Sequence, residues 1–413
     1  MVEKAYDLII LGAGASGLMT AIQAAGRECR VLVLDHAKEA GKKLLASGGG
    51  KCNVTNRRIT VSDYFGMNNV FCKYALKRFT TNTALTLLQN ADIQTEERDY
   101  GRIFCKKNAN EIVSYLVHSA ESSGVHFVFN TNISEVSYTS CFRVKCEERP
   151  FETPRLQQGR KQSQPEGSGE QLYEGSCLLV ATGGLAWPQI GATNLGYVIA
   201  RQFGHKIIPL RPALTGFVLA QDSPLMNLQG VTLDVQLQVK GKGFMVEEPL
   251  LFTHKGISGP SVLQVSCFWE KGDVVTINFL PSKNLISQMH EPSNGKCIVK
   301  NLLTQFLPER LVRAVIPDHL SNRKVAGLGK ADRRIIAECI HSFPVCPDGV
   351  EGFSKAEATL GGVSTDEINP KTMESLLQKG LFFSGEVIDI IGKLGGYNIH
   401  WAFASGYVAG QSV

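Results

Sequence analysis

Short, wholly apolar runs alternate with a helical pattern at the start of the chain. Residues 7–11 read Asp-Leu-Ile-Ile-Leu, a run without a polar face, which predicts a strand buried inside a parallel sheet. After a glycine-rich turn, residues 18–27 place apolar side chains at helical spacing, and residues 31–34 form a second buried strand that ends at Asp35. The order strand, glycine turn, helix, strand and acid predicts a βαβ unit.

The same alternation continues to residue 184 and returns near the C-terminal end. It predicts helices over 71–90 and 110–122, a hairpin over 96–104, a strand over 125–130, an antiparallel pair over 133–138 and 142–146, and a buried strand over 177–180. Residues 381–386 again form a buried strand that stops at a glycine and an acid, and a glycine-led helix follows over 399–410. This repetition predicts a discontinuous first domain, residues 1–208 and 343–413.

The middle of the chain has a different pattern. Apolar and polar residues alternate there, as in half-buried antiparallel strands, over 214–220, 231–239 and 274–279. We therefore expect an inserted β-domain over 209–295, followed by a small helical domain over 296–342 with amphipathic helices over 300–316 and 330–342. Residues 147–175 are polar and rich in Gln, Gly, Pro and Ser, which predicts a flexible insertion. The predicted fold class is α/β, with a Rossmann-like first domain.

Composition excludes several classes of protein. The chain has 413 residues, of which 43% are hydrophobic, and its 43 Lys and Arg against 38 Asp and Glu give a net charge of only +5. This modest charge disfavours a nucleic-acid partner, and the basic stretch 322–334 lacks interleaved aromatic residues, so we interpret it as a solvated connection. No apolar stretch is long enough to span a membrane, and no cluster has metal-ligand spacing. Eleven cysteines without a CxxC motif indicate free thiols and a cytoplasmic protein.

The turn after the first strand has the residues that a dinucleotide requires. Gly12 permits the tight turn, Gly14 lets backbone amides approach a diphosphate, and Gly17 lets the helix pack close to the strand. The helix N-terminus adds free N–H groups and a positive dipole. Asp35 follows where a carboxylate accepts both hydroxyls of a ribose. The motif predicts dinucleotide binding and leaves FAD and NAD as alternatives.

A second glycine-rich stretch lies at residues 41–56, GKKLLASGGGKCNVTN. Three consecutive glycines beside lysines and amides expose backbone that can wrap an anion or a planar ring. A flexible surface loop is the alternative. We favour a functional loop because Ser47, Cys52, Asn53 and Thr55 bring polar groups without any repeat or low complexity.

The assembled motifs resemble a bacterial flavoprotein family, the aminoacetone-oxidase-like or BaiN-type NAD(P)/FAD-dependent oxidoreductases. Four stretches that span most of the chain carry the resemblance, and SGGGKCNVTN within the second is specific to the family: residues 12–18, 41–56, 253–260 and 357–410. The resemblance implies a tightly bound FAD, a two-dinucleotide-binding FAD domain, and inserted β and helical domains that cover the flavin.

The resemblance also implies a role for each matching residue. The diphosphate would be held by Gly12, Ala13, Gly14, Ser16 and Gly17, and the adenosine by Asp35 and the backbone of Val136. Along the diphosphate and the isoalloxazine would lie Lys43, Gly48, Gly49, Gly50, Cys52 and Asn53. Gly385 and Glu386 would contact the ribitol, and a helix N-terminus at Gly396, Tyr397 and Asn398 would stabilise the negative charge of reduced flavin. His400 stands where the family commonly has Gln.

The candidate substrate contacts each have a structural alternative. Arg102, in the sequence Tyr100-Gly-Arg-Ile-Phe, could clamp a carboxylate or form a structural ion pair. His254 could donate a proton or stabilise its turn. For Cys52 we favour packing against the cofactor over thiol catalysis, because no resolving cysteine accompanies it.

These observations predict an FAD-dependent oxidoreductase that transfers hydride through flavin N5 to or from a small organic substrate. Either an amine is oxidised by oxygen, or a conjugated C=C or C=O is reduced by NAD(P)H, for which the turn 182–184 is a compatible docking site. An FAD-dependent tRNA-modifying enzyme and a non-catalytic flavin redox sensor are the alternatives. The sequence does not indicate the oligomeric state.

Overall fold

The computed structural model describes residues 2–148 and 170–413. The chain forms two compact units. The first combines the residues up to Arg211 with Ala358–Val413, and the second is Pro212–Glu357. No helix within the described residues is long and apolar enough to cross a membrane.

The first part of the first unit alternates strands and helices. Its strands are β1 (Val2–Leu11), β2 (Val31–Leu34), β3 (Asn53–Asn56), β4 (Tyr64–Phe65), β5 (Thr95–Arg98), β6 (Arg102–Cys105), β7 (His126–Val128), β8 (Thr131–Tyr138), β9 (Phe142–Glu148), β10 (Glu170–Val180) and β11 (Ile207–Ala213). Its helices are α1 (Ala15–Ala25), α2 (Lys42–Ala46), α3 (Lys73–Arg78), α4 (Thr81–Asn90), α5 (Asn110–Ser122) and α6 (Leu195–Gln202).

The second unit begins with antiparallel strands and continues with helices. Its strands are β12 (Phe217–Val218), β13 (Thr232–Val239), β14 (Met245–Phe252), β15 (Gly256–Ser258), β16 (Val275–Asn278), β17 (Phe343–Val345) and β18 (Gly349–Val350). Its helices are α7 (Pro260–Ser266), α8 (Leu285–His290), α9 (Val299–Leu303), α10 (Glu309–Val315), α11 (Asp318–Ser321) and α12 (Lys330–His341). The first unit then resumes with β19 (Ala358–Val363), β20 (Leu381–Phe383), β21 (Ile391–Gly392) and α13 (Tyr397–Gly410).

A largely parallel sheet forms the centre of the first unit. The strand order is β7, β2, β1, β10, with β20 parallel to the second half of β10 and the β9–β8 pair antiparallel to its first half. Residues 8–11 and 31–34 are fully buried, as continuous apolar runs in a parallel sheet require. The α/β fold class expected from the sequence is confirmed.

Glycines let α1 and α13 approach the ends of these strands. A Cβ at Gly17 would lie 1.9 Å from the carbonyl oxygen of Gly12, and one at Gly406 would lie 2.4 Å from that of Ser16. The hydroxyl of Thr20 donates to the Gly406 carbonyl at 3.0 Å, which joins the two helices. Helix α13 therefore packs directly on the start of α1.

The second unit has one core that its sheet and helices share. Buried strand residues such as Leu237 and Ile277 belong to the same apolar cluster as Leu311 and Ile336 from the helices. Strands β17 and β18 pair within this sheet, whereas the sequence placed residues from 343 onward in the first domain. Alternation over two or three residues is too short to assign a strand to one sheet or another, which explains the difference.

Local boundaries also differ from those expected. The helix predicted over 71–90 is divided into α3 and α4, because the hydroxyl of Thr80 caps a new helix by accepting the Thr83 N–H at 3.2 Å. The pattern over 300–316 is divided at Pro308, which precedes α10. Of the insertion predicted over 147–175, Glu147 and residues 170–175 belong to the β9–β10 pair, and residues 149–169 lie outside the described part of the chain.

Candidate functional site

The turn between β1 and α1 is fixed by an acid on the neighbouring strand. Gly12 has a left-handed φ of 111°, and a Cβ there would meet the Ala181 carbonyl oxygen at 2.5 Å. Asp35, directly after β2, accepts the Ala13 N–H at 2.7 Å and the Ala37 N–H at 2.8 Å. A carboxylate has about four acceptor positions, so Asp35 keeps capacity for ribose hydroxyls.

The space in front of this turn fits a diphosphate. Gly14 precedes α1 with an ordinary φ of −81°, and a Cβ built there has no heavy atom within 4 Å. Ser16 and Gly17 continue the first helical turn, whose N–H groups have no partner within the helix. Open space beside a helix N-terminus and a glycine turn is what the diphosphate of a dinucleotide needs.

The second glycine loop wraps the same part of the first unit. Gly48, Gly49 and Gly50 all have left-handed φ angles, and Cβ atoms at Gly49 and Gly50 would have nothing within 4 Å. Glycine is needed here because other residues rarely adopt this backbone. The loop therefore leaves room for a ligand along its backbone.

An ion pair joins this loop to the C-terminal part of the first unit. Lys43 Nζ lies 2.5 Å from Glu386 Oε2, and Glu386 Oε1 accepts the Thr359 N–H at 2.8 Å. The Thr359 hydroxyl accepts the N–H groups of Leu185 and Ala186, next to the turn at 182–184. Thr359 was not singled out from the sequence, although it begins the TLGGVS motif that supports the family resemblance.

Gly385 lies against the start of α1. It has a φ of 76°, and a Cβ there would meet Ser16 Oγ at 2.6 Å. The Gly385 N–H donates to Ser405 Oγ at 2.9 Å, and the indole of Trp401 donates to the Gly385 carbonyl at 3.1 Å. Segments 12–17, 41–50 and 384–386 thus meet at one end of the parallel sheet.

Cys52 is a packed thiol. The side chain is fully buried, and burial raises its pKa to about 12, with a further contribution from the neighbouring Cys105. A thiol with this pKa stays protonated at neutral pH and is a poor nucleophile. The burial therefore disfavours thiol catalysis, and packing of Cys52 against the cofactor stays a prediction.

The first turn of α13 is bonded to the glycine loop. With its amide oriented to match its neighbours, Asn53 accepts the Gly396 N–H at 3.1 Å and donates to the Thr55 and Ile103 carbonyls. Asn398 binds Gly392 through both its carbonyl oxygen and its amide nitrogen. The Tyr397 ring is buried and its hydroxyl donates to the Arg58 carbonyl at 3.1 Å. The side chains of Tyr397 and Asn398 are thus engaged with the backbone of Arg58 and Gly392, which leaves the backbone of this turn as the part suited to a flavin.

His400 is a structural residue of the same helix. Its Nε2–H donates to the Phe79 carbonyl at 3.0 Å, and its Nδ1 accepts the Thr55 hydroxyl at 2.9 Å. The ring is fully buried, and desolvation lowers its pKa to about 4. Both ring nitrogens are engaged by protein, which excludes direct contact with a flavin in this conformation.

Arg102 lies next to the start of α13. Its guanidinium lies 5.0 Å from the centre of the Tyr100 ring, and its Cγ and Nε would be 3.0 Å from a Cβ at Gly395. Asn56 donates to both the Tyr100 and the Gly395 carbonyls, which holds the β5–β6 hairpin against this turn. The structure therefore places Arg102 beside the segment predicted to contact the flavin.

Two predicted residues lie apart from these contacts. The Val136 carbonyl accepts the Gln202 side-chain amide at 2.5 Å, and because a carbonyl oxygen can accept two hydrogen bonds, a backbone contact of Val136 with adenine stays a prediction. His254 belongs to the second unit, where it is exposed in the turn between β14 and β15. The Thr253 hydroxyl closes that turn by accepting the N–H groups of Lys255 and Gly256. Threonine rather than histidine therefore stabilises the turn.

The parallel sheet, the open glycine turn at a helix N-terminus and the acid after β2 define a dinucleotide-binding protein of the Rossmann type. The chain belongs to the HI0933-like protein Rossmann domain family, whose sequence profile matches residues 6–412. It is an FAD-dependent oxidoreductase, as the resemblance in the sequence predicted.

Three relatives cover the chain over almost its full length. The ribosomal RNA dihydrouridine synthase of Haemophilus influenzae is 37% identical over 410 residues, 98% of each chain. The enzyme of the same name from Escherichia coli is 36% identical over 425 residues, 99% of this chain and 98% of that one. The 3-dehydro-bile acid delta(4,6)-reductase of Clostridium scindens is 28% identical over 425 residues, 98% of each chain.

Substitution of Gly14 tests the diphosphate site. Gly14→Ala should fold normally, because its φ is ordinary and a Cβ has free space, but the methyl group should block close approach of an anion. We expect purified Gly14→Ala to lose most of its FAD absorbance while its thermal unfolding after cofactor removal stays unchanged. Gly243→Ala, at a glycine of the second unit with equally free space, is the control. Full FAD loading of Gly14→Ala would contradict the assignment.

Substitution of His400 tests its neutral, buried state. The unfolded chain binds a proton at this histidine near pH 6.5, whereas the folded one does so only near pH 4, so stability falls as pH falls between these values. Because of His400, we expect the free energy of unfolding to be about 2 kcal/mol lower at about pH 5 than at about pH 7. His400→Gln should remove this difference in urea denaturation, and the exposed His118→Gln should retain it. Equal pH dependence in both variants would show that His400 is not the titrating group.

Proposed function

We propose that this protein reduces uridine to dihydrouridine in ribosomal RNA, with FAD as the bound cofactor and NAD(P)H as the electron donor. The observation that carries the proposal is full-length similarity, at 36–37% identity, to two enzymes named ribosomal RNA dihydrouridine synthase. Such a substrate belongs in the cytoplasm, the compartment expected from the free thiols.

The bile-acid reductase relative supports the same chemistry. Its name describes reduction of a steroid double bond, and the C5=C6 bond of uracil is likewise conjugated with a carbonyl group, at C4. Reduction of a C=C bond that is conjugated with a carbonyl group adds a hydride to the carbon β to that carbonyl and a proton to the α carbon. In uracil these two carbons are C6 and C5. A flavin oxidoreductase that acts on one such acceptor can act on another after changes in the substrate pocket. This favours reduction of a C=C bond over amine oxidation.

The residues of the first unit would hold the cofactor in stages. Gly12, Ala13, Gly14, Ser16 and Gly17 would hold the diphosphate, and Asp35 would hold the adenosine ribose. The loop at 48–53 and Lys43 would lie along the cofactor towards its ring, and Gly385, Glu386 and the first turn of α13 would contact the ribitol and the ring. When bound, FAD supplies the hydride through its reduced N5 position.

Arg102 is the residue best placed to assist the reduction. Hydride addition at C6 of uracil moves negative charge to the O4 atom, and a guanidinium stabilises such an oxygen strongly. Arg102 lies beside Gly395 at the start of α13, and its planar guanidinium has several N–H donors for such an oxygen. Cys52 is a poor proton donor for C5, because its thiol pKa is about 12.

Direct assay of the product tests the proposed function. Holoenzyme is incubated anaerobically with unmodified ribosomal RNA transcripts and either NADH or NADPH, and digested nucleosides are analysed by mass spectrometry. We expect the flavin absorbance to bleach with one nicotinamide and dihydrouridine to appear at a defined site. Transfer RNA serves as the competing substrate. Bleaching without dihydrouridine in ribosomal RNA, or product in transfer RNA alone, would refute the proposal.

Arg102→Ala tests the assignment of the guanidinium. We expect kcat to fall on the order of 10², the typical cost of removing one donor to a developing oxyanion. The flavin spectrum and the rate of reduction by NAD(P)H should stay unchanged, since the nicotinamide step does not involve the uracil oxygen. Arg98→Ala is the matched control, because Arg98 lies on the same hairpin over the ring of Phe104. If both variants turn over like the wild type, Arg102 has no catalytic role.

A further inference from the structure

The positive charge of the protein is concentrated in one segment of the second unit. Residues 281–342 contain ten Lys and Arg against five Asp and Glu, a net charge of +5. The remaining residues carry 33 of each sign, so this segment alone accounts for the excess over the whole chain. Its helices and connections belong to the core of the second unit.

Several of these cations have structural roles. The guanidinium groups of Arg310, Arg323 and Arg333 donate to backbone carbonyls of neighbouring turns. Arg323 also pairs with Asp332 at 2.7 Å. Lys300 and Arg313 share Glu309, each at 2.7 Å.

Three exposed lysines remain without such roles. Lys296, Lys324 and Lys330 form no ion pair within the part of the chain that the structure describes, residues 2–148 and 170–413. Lys324 lies opposite Ile298 in an antiparallel bridge, and the N–H groups of Val325 and Ala326 donate to the carbonyls of Cys297 and Gly295, so Lys296 and Lys324 lie on adjoining segments.

Lys330 stands at the first position of α12. A cation at a helix N-terminus opposes the helix dipole and lowers stability, although the cap formed by Asp332 at the third position offsets part of this effect. Lys330 thus adds a positive charge to the end of α12 that already has the positive end of the helix dipole.

A shallow cavity adjoins this helix. Its volume is about 480 Å³, and its polar lining includes Asn278, Ser282, Lys283, Asn284, Arg334 and His341, with Glu338 the acidic residue among them. Arg334 is one helical turn beyond Lys330, and its bond to Glu338, at 3.3 Å, joins two exposed side chains and is weak. Lys283 lies 5.0 Å from the centre of the Phe306 ring. The cavity thus offers two cations and two side-chain amides.

We propose that this basic surface, defined by Lys283, Lys296, Lys324, Lys330 and Arg334, binds the sugar-phosphate backbone of the RNA substrate. The inference rests on the proposed function, because it names the surface that recruits the RNA. Cations distributed over a bridge, a helix and a cavity match an extended polyanion better than a single phosphate. The amides of Asn278 and Asn284 suit ribose hydroxyls and phosphate oxygens.

An acidic membrane is the other polyanion that such a surface could meet. Interfacial helices insert large apolar side chains opposite their basic face. Here Lys330, Arg334 and Glu338 follow one another at i, i+4 spacing on the exposed side of α12. This side of the helix has an acidic residue beside its two cations, which disfavours an acidic membrane and favours RNA.

Binding of the holoenzyme to a labelled, unmodified ribosomal RNA transcript over a salt series tests the surface. The triple variant Lys296→Gln, Lys324→Gln and Lys330→Gln should bind RNA at least about tenfold more weakly, and the slope of log K against log salt should decrease by about 2, as expected for three lost contacts. The control is Lys240→Gln, Lys271→Gln and Lys355→Gln, which removes three exposed lysines from the same unit. Both variants should keep the wild-type flavin spectrum and thermal unfolding.

The outcomes separate this inference from the proposed function. Dihydrouridine formation with a raised KM and unchanged kcat in the first triple variant supports both. Weakened RNA binding in that variant, without dihydrouridine from the wild type, supports the surface and refutes the reaction. Equal affinity and slope in both triple variants, or no binding of wild type to the transcript, overturns the surface. Loss of binding to phosphatidylserine vesicles with unchanged RNA binding would overturn the choice of RNA.

Discussion

Close backbone contact around the start of α1 is the constraint on which the candidate site depends. A Cβ at Gly17, Gly385 or Gly406 would overlap Gly12, Ser16 or the backbone of α1. These contacts bring residues 12–17 together with Gly385 and Gly406, more than 360 positions further along the chain, at one end of the parallel sheet. A Cβ at Gly14, by contrast, would meet no heavy atom within 4 Å. Close packing around the start of α1 therefore adjoins open space at one glycine, where an anion could approach the helix N-terminus.

Polar contacts then connect this centre to the rest of the first unit. Lys43 and Glu386 join the glycine loop to the end of β20, and Asn53 joins it to the start of α13. His400 joins α13 to Phe79 and Thr55. Each contact lies in a buried or half-buried place, where a lost partner is costly. A cofactor placed along these segments would meet a surface held in position before it binds.

The sequence predicted the elements that depend on local periodicity. The βαβ unit, the hairpin at β5 and β6, helix α5 and the return of the sheet at β10 and β20 all follow from patterns within about fifteen residues. The pairing of Lys43 with Glu386 could not be predicted, because no local pattern links residues so far apart. His400 shows the same limit: its hydrogen-bond partners Thr55 and Phe79 lie more than 300 positions away, and the burial that lowers its pKa has no signal in the local sequence. The sequence motifs named the candidate residues, and only the fold shows what each of them contacts.

The net charge of the whole chain does not reveal how unevenly its charged residues are distributed. A net charge of +5 over 413 residues disfavoured a nucleic-acid partner, yet the same five charges within residues 281–342 form a strongly basic segment. The stretch 322–334 was interpreted as a solvated connection because aromatic residues are absent from it. In the structure that stretch adjoins residues distant in sequence, since Lys324 bridges to Ile298 and Arg334 shares a cavity with Lys283, whose ammonium lies over Phe306. Charge density over a folded surface, rather than net charge or linear density, is therefore the quantity that bears on RNA binding.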